Sequence, residues 1–195
     1  MSILKVENLG KKFHSKWVFR KVCFESRPGD VVSILGPNGS GKSTLLKLIA
    51  GLMAPTEGKI NRPDQNFNRS IGYSGLDLQL YPHLTAYEHL RLGAKLRGIE
   101  SNIDSLLEKI SLYSFAHTLV QTFSSGMKAR LKLALAIQPK PKLLLLDEPE
   151  VSLDSKGSDL LSQIVDEQKK EGIILWATND LSVTKEHTDK ITLYE

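Results

Sequence analysis

Gly36-Pro37-Asn38-Gly39-Ser40-Gly41-Lys42-Ser43-Thr44 fits the pattern Gly-x4-Gly-Lys-Ser/Thr of a phosphate-binding P-loop. Before it, Val31-Val32-Ser33-Ile34-Leu35 is β-branched and apolar enough for a buried strand, and after it Leu45 to Leu52 has the spacing of a buried helix. Strand, glycine turn and helix are the context the motif requires. The glycines let the backbone curl around a phosphate with its N–H groups inward, and the helix that follows offers its unpaired N–H groups and positive dipole end. All nine residues are candidates for nucleotide contact. Lys42 is expected to reach the β- and γ-phosphates, and the Ser43 hydroxyl to bind Mg²⁺.

The 195 residues are enough for one well-buried domain, or for one domain with an inserted subdomain. A hydrophobic content of 41%, a charged content of 25% and a net charge of +4 are ordinary for a globular chain. The basic residues are interleaved with acids and read as a solvated surface, so no nucleic-acid partner is expected. Cys23 is the sole cysteine. It sits in an alternating strand pattern and reads as a buried structural thiol in a reducing compartment. No apolar run approaches the ~20 residues of a membrane span. The first residues read as a strand containing Glu7, not as a signal peptide. A cytoplasmic chain is expected, with any membrane role coming through a partner.

Two strands are predicted over 2–7 and 17–25, a short one near Lys59-Ile60, and another over Arg69–Tyr73. Gly51 is expected to stop the P-loop helix. From Gly75 the pattern turns helical. Thr85-Ala86-Tyr87-Glu88 is a capping box opening a helix that ends at Gly98. A second helix opens at Ser101 with Ile103, Leu106, Leu107 and Ile110 on one face. A third begins near Ser125 or Gly126 and stops at Pro139-Lys140-Pro141. Leu143–Leu146 is a buried strand, an amphipathic helix ends at Gly172, Ile173–Ala177 is again a buried strand, and Lys190–Tyr194 a last one. These elements predict an α/β fold: a P-loop NTPase core with a mostly parallel sheet, a small N-terminal antiparallel β subdomain and an inserted α-helical subdomain. Residues 1–75 and 138–195 form the core with its β subdomain; 76–137 form the insertion.

Leu143-Leu144-Leu145-Leu146-Asp147-Glu148-Pro149 ends a hydrophobic strand in acids, at the sheet edge where α/β proteins bind ligands. Opposite a P-loop serine, Asp147 is placed to hold Mg²⁺ and Glu148 to polarise an attacking water as the catalytic carboxylate. With these residues the chain resembles the nucleotide-binding subunits of ABC transporters over essentially its whole length. Gly36–Thr44 matches their Walker A motif, Leu143–Glu148 their Walker B motif and Val151-Ser152-Leu153-Asp154 their D-loop. Phe13 stands at the A-loop position, whose ring stacks on adenine. Phe123-Ser124-Ser125-Gly126-Met127 stands in place of the signature Leu-Ser-Gly-Gly-Gln. The resemblance implies ATP and Mg²⁺ as cofactors and a head-to-tail dimer with a second ATPase subunit. Each ATP would lie between one P-loop and the partner's Ser124, Ser125 and Gly126. It also implies a separate transmembrane permease, which would hold the chain on the inner face of the membrane.

Three positions depart from that family. Alignment through Leu80–Thr85 puts Leu76 at the Q-loop glutamine, with Gln79 nearby but out of register. Asn179 replaces the switch histidine; its amide can donate a hydrogen bond to a γ-phosphate but cannot carry a proton. Ser125 and Met127 weaken the signature. ATP binding with slow hydrolysis is the expectation. The alternatives are an ATP-gated regulatory module with little hydrolysis, and a soluble ABC ATPase without a transport role. From the resemblance, the C-terminal regulatory extensions of many importers are expected to be missing. Thr178-Asn179-Asp180-Leu181 is not the Asn-Lys-x-Asp of a GTPase.

Overall fold

A computed structural model describes residues 3–62, 71–184 and 188–193. Four leucines in a row are the key to the central sheet. Leu143, Leu145 and the residues Ile173, Leu175 and Ala177 of the neighbouring strand pack into one apolar core, while Leu144, Leu146, Ile174 and Trp176 pack into another. Side chains alternate across a strand, so a run with no polar break is a strand covered on both faces. Each fully buried leucine contributes roughly 1.5–3 kcal/mol over exposure.

This sheet has five parallel strands in the order β5 (Ile71–Ser74), β6 (Leu143–Asp147), β7 (Ile173–Thr178), β3 (Val31–Leu35) and β8 (Asp189–Thr192). On one face lie α1 (Lys42–Ile49), through Leu45, Leu46, Leu48 and Ile49, and a second sheet. That sheet is antiparallel, in the order β2 (Lys16–Ser26), β1 (Leu4–Phe13) and β4 (Glu57–Asn61). The other face is covered by α5 (Ser155–Gln168) and by helical residues from the long connection between β5 and β6. The connection holds α2 (Ala86–Arg97), α3 (Ile103–Lys109) and α4 (Ser125–Ile137). The parallel sheet, the N-terminal antiparallel sheet and the helices between β5 and β6 are those expected from the sequence.

The caps explain where helices begin. Thr85 accepts from the Glu88 N–H at 3.2 Å and its own N–H donates to Glu88 at 2.8 Å, closing the capping box on α2. Asn102, one residue after the expected Ser101, caps α3. Ser124 caps α4 by accepting from the Met127 N–H at 3.2 Å. Gly98 closes α2 in the left-handed conformation.

Elsewhere the structure differs in instructive ways. β1 runs to Phe13, not Glu7, because bulges between Val6 and Lys12 break the alternation that would reveal it. β4 is longer than Lys59-Ile60 because β1 pairs with all of it. α1 begins at Lys42, three residues before its apolar run. Cys23 is exposed, contrary to the expected buried thiol: it lies on the outer face of edge strand β2, where its sulfur accepts from the Asn8 N–H at 3.1 Å. Arg69 and Ser70 of the expected fifth strand, Tyr194 of the last and Ser2 of the first lie outside the described residues.

β5 and α4 meet at Gly72, where an added Cβ would stand 2.1 Å from the Ala136 carbonyl oxygen. The obstacle is backbone, so it cannot yield by a rotamer change. Gly72→Ala is expected to destabilise by about 2 kcal/mol, as overpacking does, and to lower the thermal midpoint by about 4–8 °C. A calorimetric melt beside wild type checks this.

Candidate functional site

The turn after β3 is built for close approach. Gly41 caps α1 in the left-handed conformation (φ 98°), and a Cβ there would lie 2.4 Å from Val18 Cγ1. The P-loop thus presses on β2 with no room for a side chain. The next residue, Lys42, is buried, and its ammonium donates to the carbonyls of Gly36 (2.8 Å) and Pro37 (3.2 Å) and lies 3.5 Å from Glu148 Oε1. A buried cation must be paired, so Lys42 folds the loop around itself and ties it to the end of β6.

β6 delivers the acids. Asp147 is only 4% exposed, its Oδ1 is buried without a partner, and the Ser43 hydroxyl lies beside its carboxylate. Burial, followed by the nearby Glu148 charge, pushes its carboxyl above the usual range, against the pull of the nearby Ser43 hydroxyl. Glu148 has a left-handed backbone (φ 48°), and its N–H donates to the Ala177 carbonyl at 2.8 Å, pinning β6 to the end of β7. The backbone at this strand exit therefore turns the two successive carboxylates into one cleft.

That cleft has a volume of about 390 Å³ and is lined by Asn38, Gly39, Gly41–Thr44, Asp147 and Glu148 among the expected residues, with Val18, Lys47, Leu76 and Asp77. Gly36 and Pro37 contribute through their carbonyls to Lys42, and Ser40 is buried behind the loop. A hydroxyl beside a buried carboxylate with an unpartnered oxygen suits a hard divalent cation. Ser43 and Asp147 fit Mg²⁺ on that ground.

Other expected residues do not line the cleft. Phe13 is exposed at the end of β1 with the Lys11 ammonium 5.0 Å from its ring centre. Asn179 is exposed just past β7. Ser124–Gly126 open α4, and Ser125 lines a neighbouring cleft of about 560 Å³ together with Leu76, Gln79 and the other flank of Asp147 and Glu148. Asp154 caps α5 by accepting from the Gly157 N–H at 2.8 Å and is 3.5 Å from Arg130 of α4.

Sequence reasoning missed a second layer. Lys47 bonds Asp77 at 2.7 Å, and Tyr73 donates to Asp77 at 2.9 Å. Glu150 accepts from Trp176 Nε1 at 3.0 Å and from the Thr178 hydroxyl. For the first group there was a signal: Lys47 is four residues after Ser43 and so shares its helix face, and Asp77 is the one acid between Ile71 and Tyr87. For Glu150 there was none.

The family model for ABC transporters matches residues 19–151, which hold both the P-loop and the β6 acids. The chain belongs to the ABC transporter family. It is 33% identical to the ABC transporter ATP-binding protein YdbJ of Bacillus subtilis, over 99% of this chain and 66% of that one. It thus spans just under two thirds of that relative. It is 34% identical to the lantibiotic transport ATP-binding protein SrtF of Streptococcus pyogenes, over 95% of this chain and 83% of SrtF. A solved structure described as the ATP binding subunit of an ABC transporter superposes with a TM-score of 0.89 at 30% identity, covering 98% of this chain and 86% of its own. ATP-binding chains of the ABC family are generally Mg²⁺-dependent ATPases that dimerise and work with transmembrane permeases. Among the described residues, no helix is long and apolar enough to cross a membrane.

Because burial disfavours the charged Asp147 carboxyl, its ionisation costs the free protein stability at neutral pH. The neutral form favours folding below the unfolded pKa, and that contribution is lost as pH rises through the higher folded value. Asp147→Asn is therefore expected to raise the metal-free thermal midpoint by about 2–4 °C, on the order of 1 kcal/mol, while Mg²⁺-dependent nucleotide binding is lost. Melts and nucleotide titrations with and without Mg²⁺ check both.

Proposed function

We propose that this chain binds Mg-ATP in the P-loop cleft, hydrolyses it slowly within a head-to-tail dimer, and thereby drives a separate transmembrane permease. One observation carries the reading. The cleft brings a buried ammonium, a hydroxyl next to a buried carboxylate with a free oxygen, and a second carboxylate to the C-terminal edge of one parallel sheet. Phosphate oxygens would take over the Lys42 contacts now made by carbonyls and Glu148, and that exchange frees Glu148. It then accepts a proton from the water that attacks the γ-phosphorus as the bond to the ADP oxygen breaks. Ser43 and Asp147 would hold Mg²⁺, which would supply charge neutralisation on the phosphates.

Asn38 and the P-loop N–H groups bind phosphate, Phe13 offers a stacking face to adenine, and Asn179 lies near the γ-phosphate after the dimer closes. Ser124, Ser125 and Gly126 reach the nucleotide of the partner subunit. Residues 76–137 act as a subdomain against the core of 1–75 and 138–195. The cleft lined by Leu76, Leu78, Leu80 and Pro82 supports the 74–85 segment as the surface on which the permease docks, holding the chain at the inner membrane face. Substrate choice then resides in the permease.

Slow turnover follows from Leu76 and Asn179, which replace groups whose transition-state contacts are commonly worth ~10²–10³ in rate each. A regulatory reading, in which ATP binding alone is the signal, draws on the same two residues. Glu148→Gln separates them. It is expected to cut phosphate release at least ~10²-fold while leaving ATP binding intact. Unchanged phosphate release would show that Glu148 is not the base and would favour the regulatory reading.

A further inference from the structure

Leu76 leaves the segment after β5 without the amide that the resemblance leads one to expect, and Gln79 lines the neighbouring cleft instead of the phosphate cleft. The polar side chain that the segment does place in the phosphate cleft is Asp77. Its carboxylate is held from two sides. Lys47, one turn after Ser43 on α1, bonds Oδ2 at 2.7 Å, and the Tyr73 hydroxyl donates to Oδ1 at 2.9 Å. Tyr73 also feels the charge of Asp147, the buried carboxylate whose Oδ1 has no partner. Ser43, Asp147, Asp77 and Lys47 thus line one cleft, and Tyr73 ties Asp77 to the end of β5.

We propose that Asp77 is a positioning residue for the divalent cation of bound Mg-ATP, taking the place at this site that Leu76 cannot fill and Gln79 does not reach. The inference rests on the ATPase reading given above. Three observations carry it. A carboxylate offers about four lone-pair sites, so the Lys47 and Tyr73 contacts still leave acceptor capacity for water bound to a metal. The cleft gathers three carboxylates, Asp77, Asp147 and Glu148, against two ammoniums, Lys42 and Lys47, an excess of negative charge that a divalent cation offsets. A purely structural role explains little: the Asp77 side chain is 52% exposed, and ion pairs at such exposure are commonly worth under ~1 kcal/mol.

The contact also has somewhere to lead. Lys132 of α4 donates to the carbonyls of Leu76 (3.1 Å) and Gly75 (3.3 Å), two residues that immediately precede Asp77. Lys132 is two helical turns beyond Ser125. A metal seated beside Asp77 therefore fixes the backbone to which the helix carrying Ser125 and Gly126 is fastened.

The test is a titration of the full chain with a fluorescent ATP analogue, first in chelator and then with increasing Mg²⁺, repeated with Mn²⁺ followed by electron paramagnetic resonance. Asp77→Asn is expected to raise the Mg²⁺ concentration at half-saturation about tenfold, to weaken Mn²⁺ binding to the nucleotide complex to match, and to leave affinity in chelator within about twofold. Gln79→Ala is expected to keep the wild-type metal requirement. Lys47→Met, which leaves Asp77 charged without its partner, is expected to lower it, so the sign of the effect is tested even if Asp77→Asn folds poorly. Equal metal requirements in wild type, Asp77→Asn and Lys47→Met overturn the assignment of Asp77 and leave the ATPase reading standing. A folded wild type that binds no nucleotide with or without Mg²⁺ overturns that reading, and this one with it.

Discussion

The Lys42 ammonium is the constraint around which the site is organised. It is 6% exposed, and an unpaired charge at that depth costs several kcal/mol. The chain meets the cost with two P-loop carbonyls and a carboxylate from β6. One cation therefore fixes the curl of the loop after β3 and the approach of β6, two strands that are not neighbours in the sheet because β7 lies between them. The partners that Lys42 has in the free chain are weaker matches for an ammonium than a triphosphate would be. The site is preassembled, and a ligand can compete for its central charge.

Around that centre the two cores do different work. The core under α1 and the antiparallel sheet holds the P-loop rigid against β2, as Gly41 against Val18 shows. The core on the opposite face joins the helical connection to the sheet. Polar links between these regions include Lys132 to the 75–76 backbone, Arg130 to Asp154, and Lys109 of α3 to Glu167 of α5. Movement of the helical segment relative to the core would be borne by those links, and two of them belong to the helix that Ser124 caps.

Much of this was legible in the sequence because the relevant physics is local. A P-loop declares itself by glycines and a lysine at fixed spacing, a doubly covered strand by four consecutive leucines, and a helix start by Thr85 and Glu88. β1 was read short because bulges conceal a strand from a two-residue period. Cys23 was read as buried because alternation tells which residues share a face but not which face meets solvent. Asp77 and Lys47 were passed over because their pairing joins a helix to a loop thirty residues away, and only tertiary structure brings them together. The departures at Leu76 and Asn179 were visible as letters. What the chain uses in their neighbourhood required the fold.

The central claim is that the Lys42 cradle is a nucleotide triphosphate site. Isothermal titration of ATP into wild type and into Lys42→Ala, both with Mg²⁺ and both verified as folded, tests it most directly. Saturable one-to-one binding by wild type, weakened at least ~10²-fold in the variant as loss of a charge-assisted phosphate contact requires, is the result predicted. Equal affinity in the two proteins would contradict the account.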